Sequence, residues 1–487
     1  EKRGAVLDKY KSIAIDLAAQ EAKLKSRMTS RGSRLMAKKN ILLFKRMCQD
    51  AGLQDVDLLV DILTVGAKLT GDSGKCREFP QQSSEPSMTA EQVMKASRWT
   101  RKMTRARSCK SGDDEIDEEV WKVTKEELEN GWLSGPFTES QLASMLGPLF
   151  VVSRRFGIRQ GDKVRQIDDL TESLVNLAFR SQFKVNLGGV DEIAVLFRTW
   201  LQGIGEDRSL LFTLSSGKVL RGTLHETLTV EQAKTLTGRT LDLESAYKQL
   251  MVAESSRWCS VIQVFDVSTK SDKLFIAEAL PFGARSSVYA FNACARAIRR
   301  IGTVLFSLPW VNYFDDFPQA DLELCKDSSQ KTAEDLLTLL GWDYSEKEKK
   351  RKSFSREFEA LGVVFDLRRS AGNVVTVKNK ESRVEDLKRL VQDIRRMGCC
   401  TPALASSIKG RLQFAESQTF GRIAALMMPR LRELSLAKNM EASLTAAVIE
   451  ELVWITGHLE HSLPRSLRAH DVRPPLIIFT DAALEDS

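Results

Sequence analysis

Apolar residues recur at three- and four-residue spacing over Val384, Leu387, Leu390, Val391, Ile394 and Met397, which marks one face of a helix. Residues 399–402 break that pattern, and a second helical stretch begins near Ala403. Residues 35–46 show the same helical spacing near the other end of the chain. Between 241 and 370 short β-like apolar runs alternate with helical ones, which predicts a region of α+β type. One strand ends near Asp242, with a helix-like stretch after it. A second turns back on itself at Tyr313-Phe314-Asp315-Asp316, between the apolar residues Val311 and Phe317. Residues 71–90, rich in Gly, Ser, Pro and Gln, separate a helical N-terminal region from the rest of the chain. At the far end Leu476-Ile477-Ile478-Phe479 forms an apolar strand with Asp481 close behind it.

Two adjacent aspartates on a turn are by themselves ordinary solvated residues. Asp242 changes their meaning, because it places a third carboxylate at the end of another strand. Three fixed carboxylates are the usual means of holding two hard divalent cations roughly 3.5–4 Å apart, the spacing used in phosphoryl transfer. If the two strands are neighbours, Asp242, Asp315 and Asp316 can form such a site.

The order of further blocks resembles that of reverse transcriptases of the retroelement type. Asp242 matches that family's first catalytic aspartate, and Tyr247 its aromatic gate against a ribose 2′-hydroxyl. Leu280-Pro281-Phe282-Gly283 resembles the block bordering the incoming nucleotide, although the small-residue/Pro pair that usually comes next reads Ser287-Val288. Tyr313 to Asp316 matches the Tyr-x-Asp-Asp box, with Tyr313 on the nucleic-acid side. In the strand Lys163-Val164-Arg165-Gln166-Ile167, Arg165 matches the triphosphate-binding arginine, with Lys163 and then Arg159 as weaker matches; a solvated strand face is the alternative. Leu340-Gly341-Trp342 and the 347–352 basic run resemble a block with a mobile lysine near the pyrophosphate. Gly362, within Ala360-Leu361-Gly362-Val363-Val364-Phe365, resembles part of the primer grip. Lys409, Arg411 and Arg422 lie on helical stretches that suit either phosphate contacts in a thumb or a plain helical hairpin. Residues 131–137, 410–415 and Gly421-Arg422 look most like DIRS-like elements and their relatives. Asp481 resembles the first metal-binding carboxylate of an RNase H domain, and one carboxylate cannot hold two metals, so no RNase H activity is expected of this segment.

The resemblance implies a polymerase right hand with a helical N-terminal region. The expected divisions are a basic helical region at 1–70, a linker with basic and acidic runs at 71–130, fingers at 131–240, palm with primer-grip hairpin at 241–370, helical thumb or connection at 371–465, and the start of an RNase H-like domain at 466–487. It also implies RNA-directed DNA synthesis within a retrotransposon polyprotein, two Mg²⁺ or Mn²⁺ ions, deoxynucleoside triphosphates and an RNA or DNA template-primer. The alternatives are an RNA-dependent RNA polymerase and a catalytically inactive, domesticated nucleic-acid-binding relative.

Composition is compatible with this reading and decides little. The chain has 487 residues, enough for roughly three domains. A net charge of +7 suits a polyanionic partner without demanding one. Residues 1–50 carry thirteen Lys/Arg against five Asp/Glu, an arm that grips phosphates or a solvated helix face. The basic run 95–110 and the acidic run 113–119 are close enough to neutralise each other. The eight cysteines show no zinc spacing, which predicts reduced thiols and an intracellular setting, cytoplasm or nucleus. No apolar run reaches the roughly 18–20 residues of a membrane span. The first residue is Glu1 and not Met, which reads as an excerpt of a longer product.

Overall fold

The structure is a computed structural model and describes residues 1–161, 163–346, 351–419, 423–437 and 442–470. Residues 347–350 of the basic run, Gly421-Arg422 and the 476–482 strand with Asp481 lie outside the described residues. The chain is a mixture of helices and mainly antiparallel strands, and it divides into two compact units. One comprises Glu1–Gly189, Thr240–Gln319 and Cys325–Ser353, and the other Val190–Arg239, Ala320–Leu324 and Phe354–Ser487.

The core of the first unit is the helix Arg285–Phe306, whose buried face is built from small residues: Ala290, Ala293, Cys294 and Ala297. Small side chains let other helices approach closely, and the N-terminal helices Lys2–Ser26, Ile41–Asp50 and Val56–Thr64 pack here. Gly302 faces the Trp310 indole so tightly that a Cβ would sit 2.1 Å from a ring carbon. Trp310 Nε1 donates to the Arg299 carbonyl at 2.9 Å, which fixes the chain just before it enters the 313–316 turn. A five-stranded sheet lies in the same unit, in the order Leu133–Phe137, Ser271–Ala277, Val261–Asp266, Val152–Gln160, Lys163–Asp169. Its one parallel pair joins Val261–Asp266 to Val152–Gln160.

The basic N-terminal region has a third role besides the two its charge suggested. Arg3 donates to the Phe306 and Ser307 carbonyls at the end of the long helix. Lys25 donates to the carbonyls of Ala37 and Lys39, and Arg31 pairs with Glu278 at 2.8 Å. Lys39 is buried. Much of this charge braces the protein's own backbone. Residues 71–130, expected as a linker, contain two helices, Ala90–Arg105 and Asp114–Glu129. Thr89 and Gln92 form a reciprocal cap at the start of the first, and the Asp113 carboxylate caps the second. The basic and acidic runs neutralise each other only in part: Lys110 faces Asp114, but Arg105 pairs with Glu139, Arg107 with Glu172, and Asp113 and Glu115 with Arg159.

In the second unit the antiparallel strands Glu357–Ala360, Val363–Asp366, Val374–Asn379 and Arg465–Arg468 form one sheet. The helices Glu381–Met397, Pro402–Glu416, Met428–Ser435 and Ala446–His461 enclose a separate apolar core. Val384, Leu387, Val391 and Ile394 point into it as their spacing predicts. Met397 does not: it is 57% exposed, because Gly398 in the left-handed conformation ends the helix one residue later. Thr401 then caps the next helix, with Pro402 in its first turn.

Arg155, Glu127 and Asp168 form a buried charge cluster in the first unit. Arg155 donates to Asp168 at 2.6 and 3.0 Å and to Glu127 at 2.7 Å, and Lys248 reaches Glu127 at 2.7 Å. Burial alone would push the Glu127 carboxyl up, but the Arg155 and Lys248 charges outweigh it and hold it at about 2. Removing one partner leaves the others charged in a dry site, so Glu127→Gln should cost about 3 kcal/mol at neutral pH. In the unfolded chain this carboxyl titrates near 4.5, so its contribution is complete above that pH and is lost as pH falls towards 2. Denaturant titrations of parent and variant should therefore converge in acid, and a gap that stays constant with pH would contradict the assignment.

Candidate active site

The Leu236–Asp242 strand pairs with Asp316–Leu322, which makes neighbours of the two segments that carry the three aspartates. At their ends the Leu243 N–H donates to the Asp315 carbonyl at 3.0 Å. The turn closes through reciprocal bonds between Tyr313 and Asp316, at 2.8 and 3.0 Å, with Phe314 in the left-handed region at φ 51°. A non-glycine residue seldom adopts that conformation outside a turn held from both sides. Asp242, Asp315 and Asp316 are all half-buried, and Tyr313 is exposed. On the other flank of Asp242, Ser345 N–H donates to its carbonyl at 2.8 Å and Ser345 Oγ to its Oδ2 at 3.0 Å.

Tyr247 comes after the strand in a short 3-10 turn that opens with Ser245 in the left-handed conformation. Its ring meets Phe282 at 5.7 Å and Phe291 at 5.2 Å between centroids. Burial, and then the Asp315 carboxylate, push its hydroxyl up to about 12, so the neutral phenol lies within the field of Asp315. The side chains of Tyr247, Asp315 and Phe282 therefore occupy one neighbourhood.

Gly283 is required by packing. Its φ is +130°, and a Cβ there would stand 2.1 Å from the Asp168 carbonyl oxygen. The Phe282 carbonyl accepts from Asp168 N–H at 2.9 Å, and Asn176 Nδ2 donates to the Gly283 carbonyl at 2.9 Å. Asn176 Oδ1 also receives the Arg285 N–H at 2.8 Å, so this one side chain ties the Gly283 loop to the start of the long helix. Just beyond this loop, at Ser287-Val288, Ser287 Oγ donates back to the Pro281 carbonyl at 2.9 Å. Sequence reasoning missed Asn176, which stands in no recognisable block. It also missed Arg155 and Lys248; the alternation of Ser153 and Arg155 on the inward face of their strand was the available signal for the first.

Lys163 and Arg165 share the exposed face of the Lys163–Asp169 strand and have no ion-pair partner among the described residues. Arg159 is occupied by Asp113 and Glu115. In the second unit Gly362, with φ +79°, turns the hairpin between Glu357–Ala360 and Val363–Asp366, and its carbonyl accepts from Arg383 at 3.1 Å. Lys409 borders a groove of about 2080 Å³ that also exposes Arg198, Arg369, Arg432 and Arg468. Arg411 is exposed and approaches Asp386 only at 3.9 Å.

The donor chemistry of the three aspartates fits a hard divalent cation, since all supply carboxylate oxygens, from the end of one strand and from the turn that leads into its neighbour. Among the described residues, no three His, Cys, Asp or Glu side chains already converge as a metal cage. The fit therefore rests on donor type and strand adjacency. No helix among the described residues is long and apolar enough to cross a membrane.

No family model matches this chain, and no curated protein matches it. Among solved structures it is similar to the foamy viral protease-reverse transcriptase dRH in complex with double-stranded DNA, with a TM-score of 0.47 and 13% identity over 86% of this chain. It is also similar to the foamy viral protease-reverse transcriptase with an RNA/DNA hybrid (TM-score 0.48, 12% identity, 86% of this chain) and with double-stranded DNA (0.48, 14%, 89%). The chain spans 60%, 46% and 73% of those chains respectively.

Gly283→Ala should lower the melting temperature by several degrees, because the added methyl meets backbone and the conformation is strained. Gly189→Ala, where a Cβ has open space, is the control. Equal melting temperatures for the two variants would show that the Gly283 loop yields easily.

Proposed function

We propose that this chain is an RNA-directed DNA polymerase, a reverse transcriptase of retroelement type with a fingers, palm and thumb organisation. The observation that carries the proposal is the strand pair that sets Asp242 beside the Asp315-Asp316 turn, with Tyr247 in the field of Asp315. Asp242, Asp315 and Asp316 would hold two Mg²⁺ or Mn²⁺ ions, which when bound supply Lewis-acid stabilisation of the attacking and leaving oxygens.

The chain's own residues do the rest. The Tyr247 ring, wedged by Phe282 and Phe291, stands where a ribose 2′-hydroxyl would have to fit, which selects deoxynucleotides. Arg165 and Lys163, exposed and unpaired among the described residues, neutralise triphosphate charge. The Phe282-Gly283 backbone, with no side chain at Gly283, allows close approach of the nucleotide to the loop. The primer 3′-oxygen attacks the α-phosphorus in line and pyrophosphate departs. Tyr313 and Gly362, with Lys409 and Arg411, contact template and primer through sugar and phosphate, because copying any sequence excludes strong base readout by the protein. The association with a retrotransposon polyprotein, an intracellular location and the RNase H-like assignment of Asp481 belong to the same proposal.

Primer extension on poly(rA)/oligo(dT) tests it. The parent should extend with Mg²⁺ or Mn²⁺ and prefer deoxynucleotides to ribonucleotides, whereas a preference for ribonucleotides would favour an RNA polymerase. Asp315→Asn keeps the side-chain volume and removes the charge, so extension should fall by several orders of magnitude with duplex affinity kept. Extension within tenfold of the parent would remove Asp315 from the site, and a parent that binds duplex without extending it would point to an inactive relative.

A further inference from the structure

Lys39 is a buried lysine whose side-chain hydrogen bonds lead towards the segments beside Asp242. It is 4% exposed and stands 3.8 Å from the centroid of the buried Trp342 ring. Its Nζ donates to Gln249 Oε1 and to the Gly341 carbonyl, both at 2.8 Å. Those two acceptors lie on separate segments that meet beside Asp242. Gln249 Nε2 donates to the carbonyls of Glu244 and Asp343, both at 2.7 Å, and Gln249 Oε1 also receives the Asp343 N–H at 2.9 Å. The Glu244 N–H reaches the Asp343 carbonyl at 3.0 Å, and two residues further on Ser345 grips Asp242 through both its N–H and its hydroxyl.

The residues around Lys39 hold the same segment. The Asn40 N–H and Nδ2 donate to the carbonyls of Leu340 and Leu339, and Lys38 pairs with Asp343 at 3.0 Å. Gly341, at φ +74°, lies so close that a Cβ would stand 1.9 Å from the Lys38 carbonyl oxygen. Burial pulls the Lys39 amine down to about 7, against the nearby Asp343 charge, while two oxygen acceptors and an indole face favour the ammonium. An apolar side chain would fill this volume without burying an amine, so what distinguishes Lys39 here is the pair of acceptors it holds.

We infer that Lys39 is a positioning residue for the Asp242 carboxylate: through Gln249 and residues 341–345 it sets Ser345, whose hydroxyl orients Asp242 Oδ2 towards a bound divalent cation. This rests on the polymerase reading of the site and extends it to the N-terminal region, which contributes none of the three carboxylates. Hydrogen bonds made to ligating side chains commonly change metal affinity by about 10–100-fold, which sets the scale of the effect.

The test uses the full chain bound to a primer–template duplex. Mn²⁺ affinity is read by electron paramagnetic resonance of the free ion, and the rate of single-nucleotide addition is read per active site. Lys39→Met and Ser345→Ala should each weaken Mn²⁺ binding about tenfold and slow addition at subsaturating metal, with duplex affinity within twofold of the parent. Lys11→Met, on an exposed pair with Asp8, should change nothing. A merely structural lysine would lower the folded fraction and leave the affinity of the folded protein intact. Folded Lys39→Met with the parent's Mn²⁺ affinity would overturn the inference, as would Ser345→Ala with that affinity. Should Lys39→Met lose its fold, Gln249→Glu takes its place: it keeps an acceptor for Lys39, removes the donor to Glu244 and Asp343, and must weaken Mn²⁺ likewise. A parent that binds Mn²⁺ but adds no nucleotide would sink the polymerase reading alone.

Discussion

Carboxylates repel one another, and a fold that sets the end of the Asp242 strand beside the Asp315-Asp316 turn has to hold the two segments through the backbone. Here the holding is done by the ladder between Leu236–Asp242 and Asp316–Leu322, extended by the bond from Leu243 N–H to the Asp315 carbonyl. Around that ladder other contacts remove its freedom to splay. Trp310 locks onto Gly302 on the entry side of the turn, and Ser345 locks onto Asp242 on the other flank. The N-terminal helices, with their many cations, close over the segment that carries Ser345. Part of their charge goes to carbonyls and carboxylates of the protein itself, as with Arg3, Lys25, Arg31 and Lys39.

A second set of buried charges does comparable work around Tyr247 and the Phe282-Gly283 loop. Arg155, Glu127, Asp168 and Lys248 join a helix, a hairpin and the residue after Tyr247 into one ionic cluster. Asp168 also receives the Phe282-Gly283 loop through its backbone. The aromatic contact of Tyr247 with Phe282 is thus supported from beneath on both sides. Such a cluster is costly to desolvate, and its use here is geometric: it fixes which segments lie together.

The sequence was most legible where local pattern and chemistry coincide. The turn at 313–316, the strand ending at Asp242 and the buried face of Glu381–Met397 come from alternation, adjacent carboxylates and helical spacing, which need no knowledge of distant partners. Met397 escaped because the helix end is decided by Gly398, one residue beyond the repeat. Residues 71–130 read as a linker because polar capping boxes and charged faces look like solvated chain until their partners are known. Lys39, Asn176 and Ser345 were not legible for a related reason. Each acts on a segment far away in the chain, Lys39 on Gly341 and Asn176 on Gly283, and no periodicity records such a meeting.

The central claim is that Asp242, Asp315 and Asp316 act as one cation-binding site because of the strand pair beneath them. The most direct test is anomalous diffraction from crystals of the chain with a primer–template, a non-hydrolysable deoxynucleotide and Mn²⁺. Two Mn²⁺ peaks are expected, roughly 3.5–4 Å apart and bonded by carboxylate oxygens of these three residues. Mn²⁺ bound elsewhere, with all three aspartates beyond bonding distance of any peak, would contradict the claim.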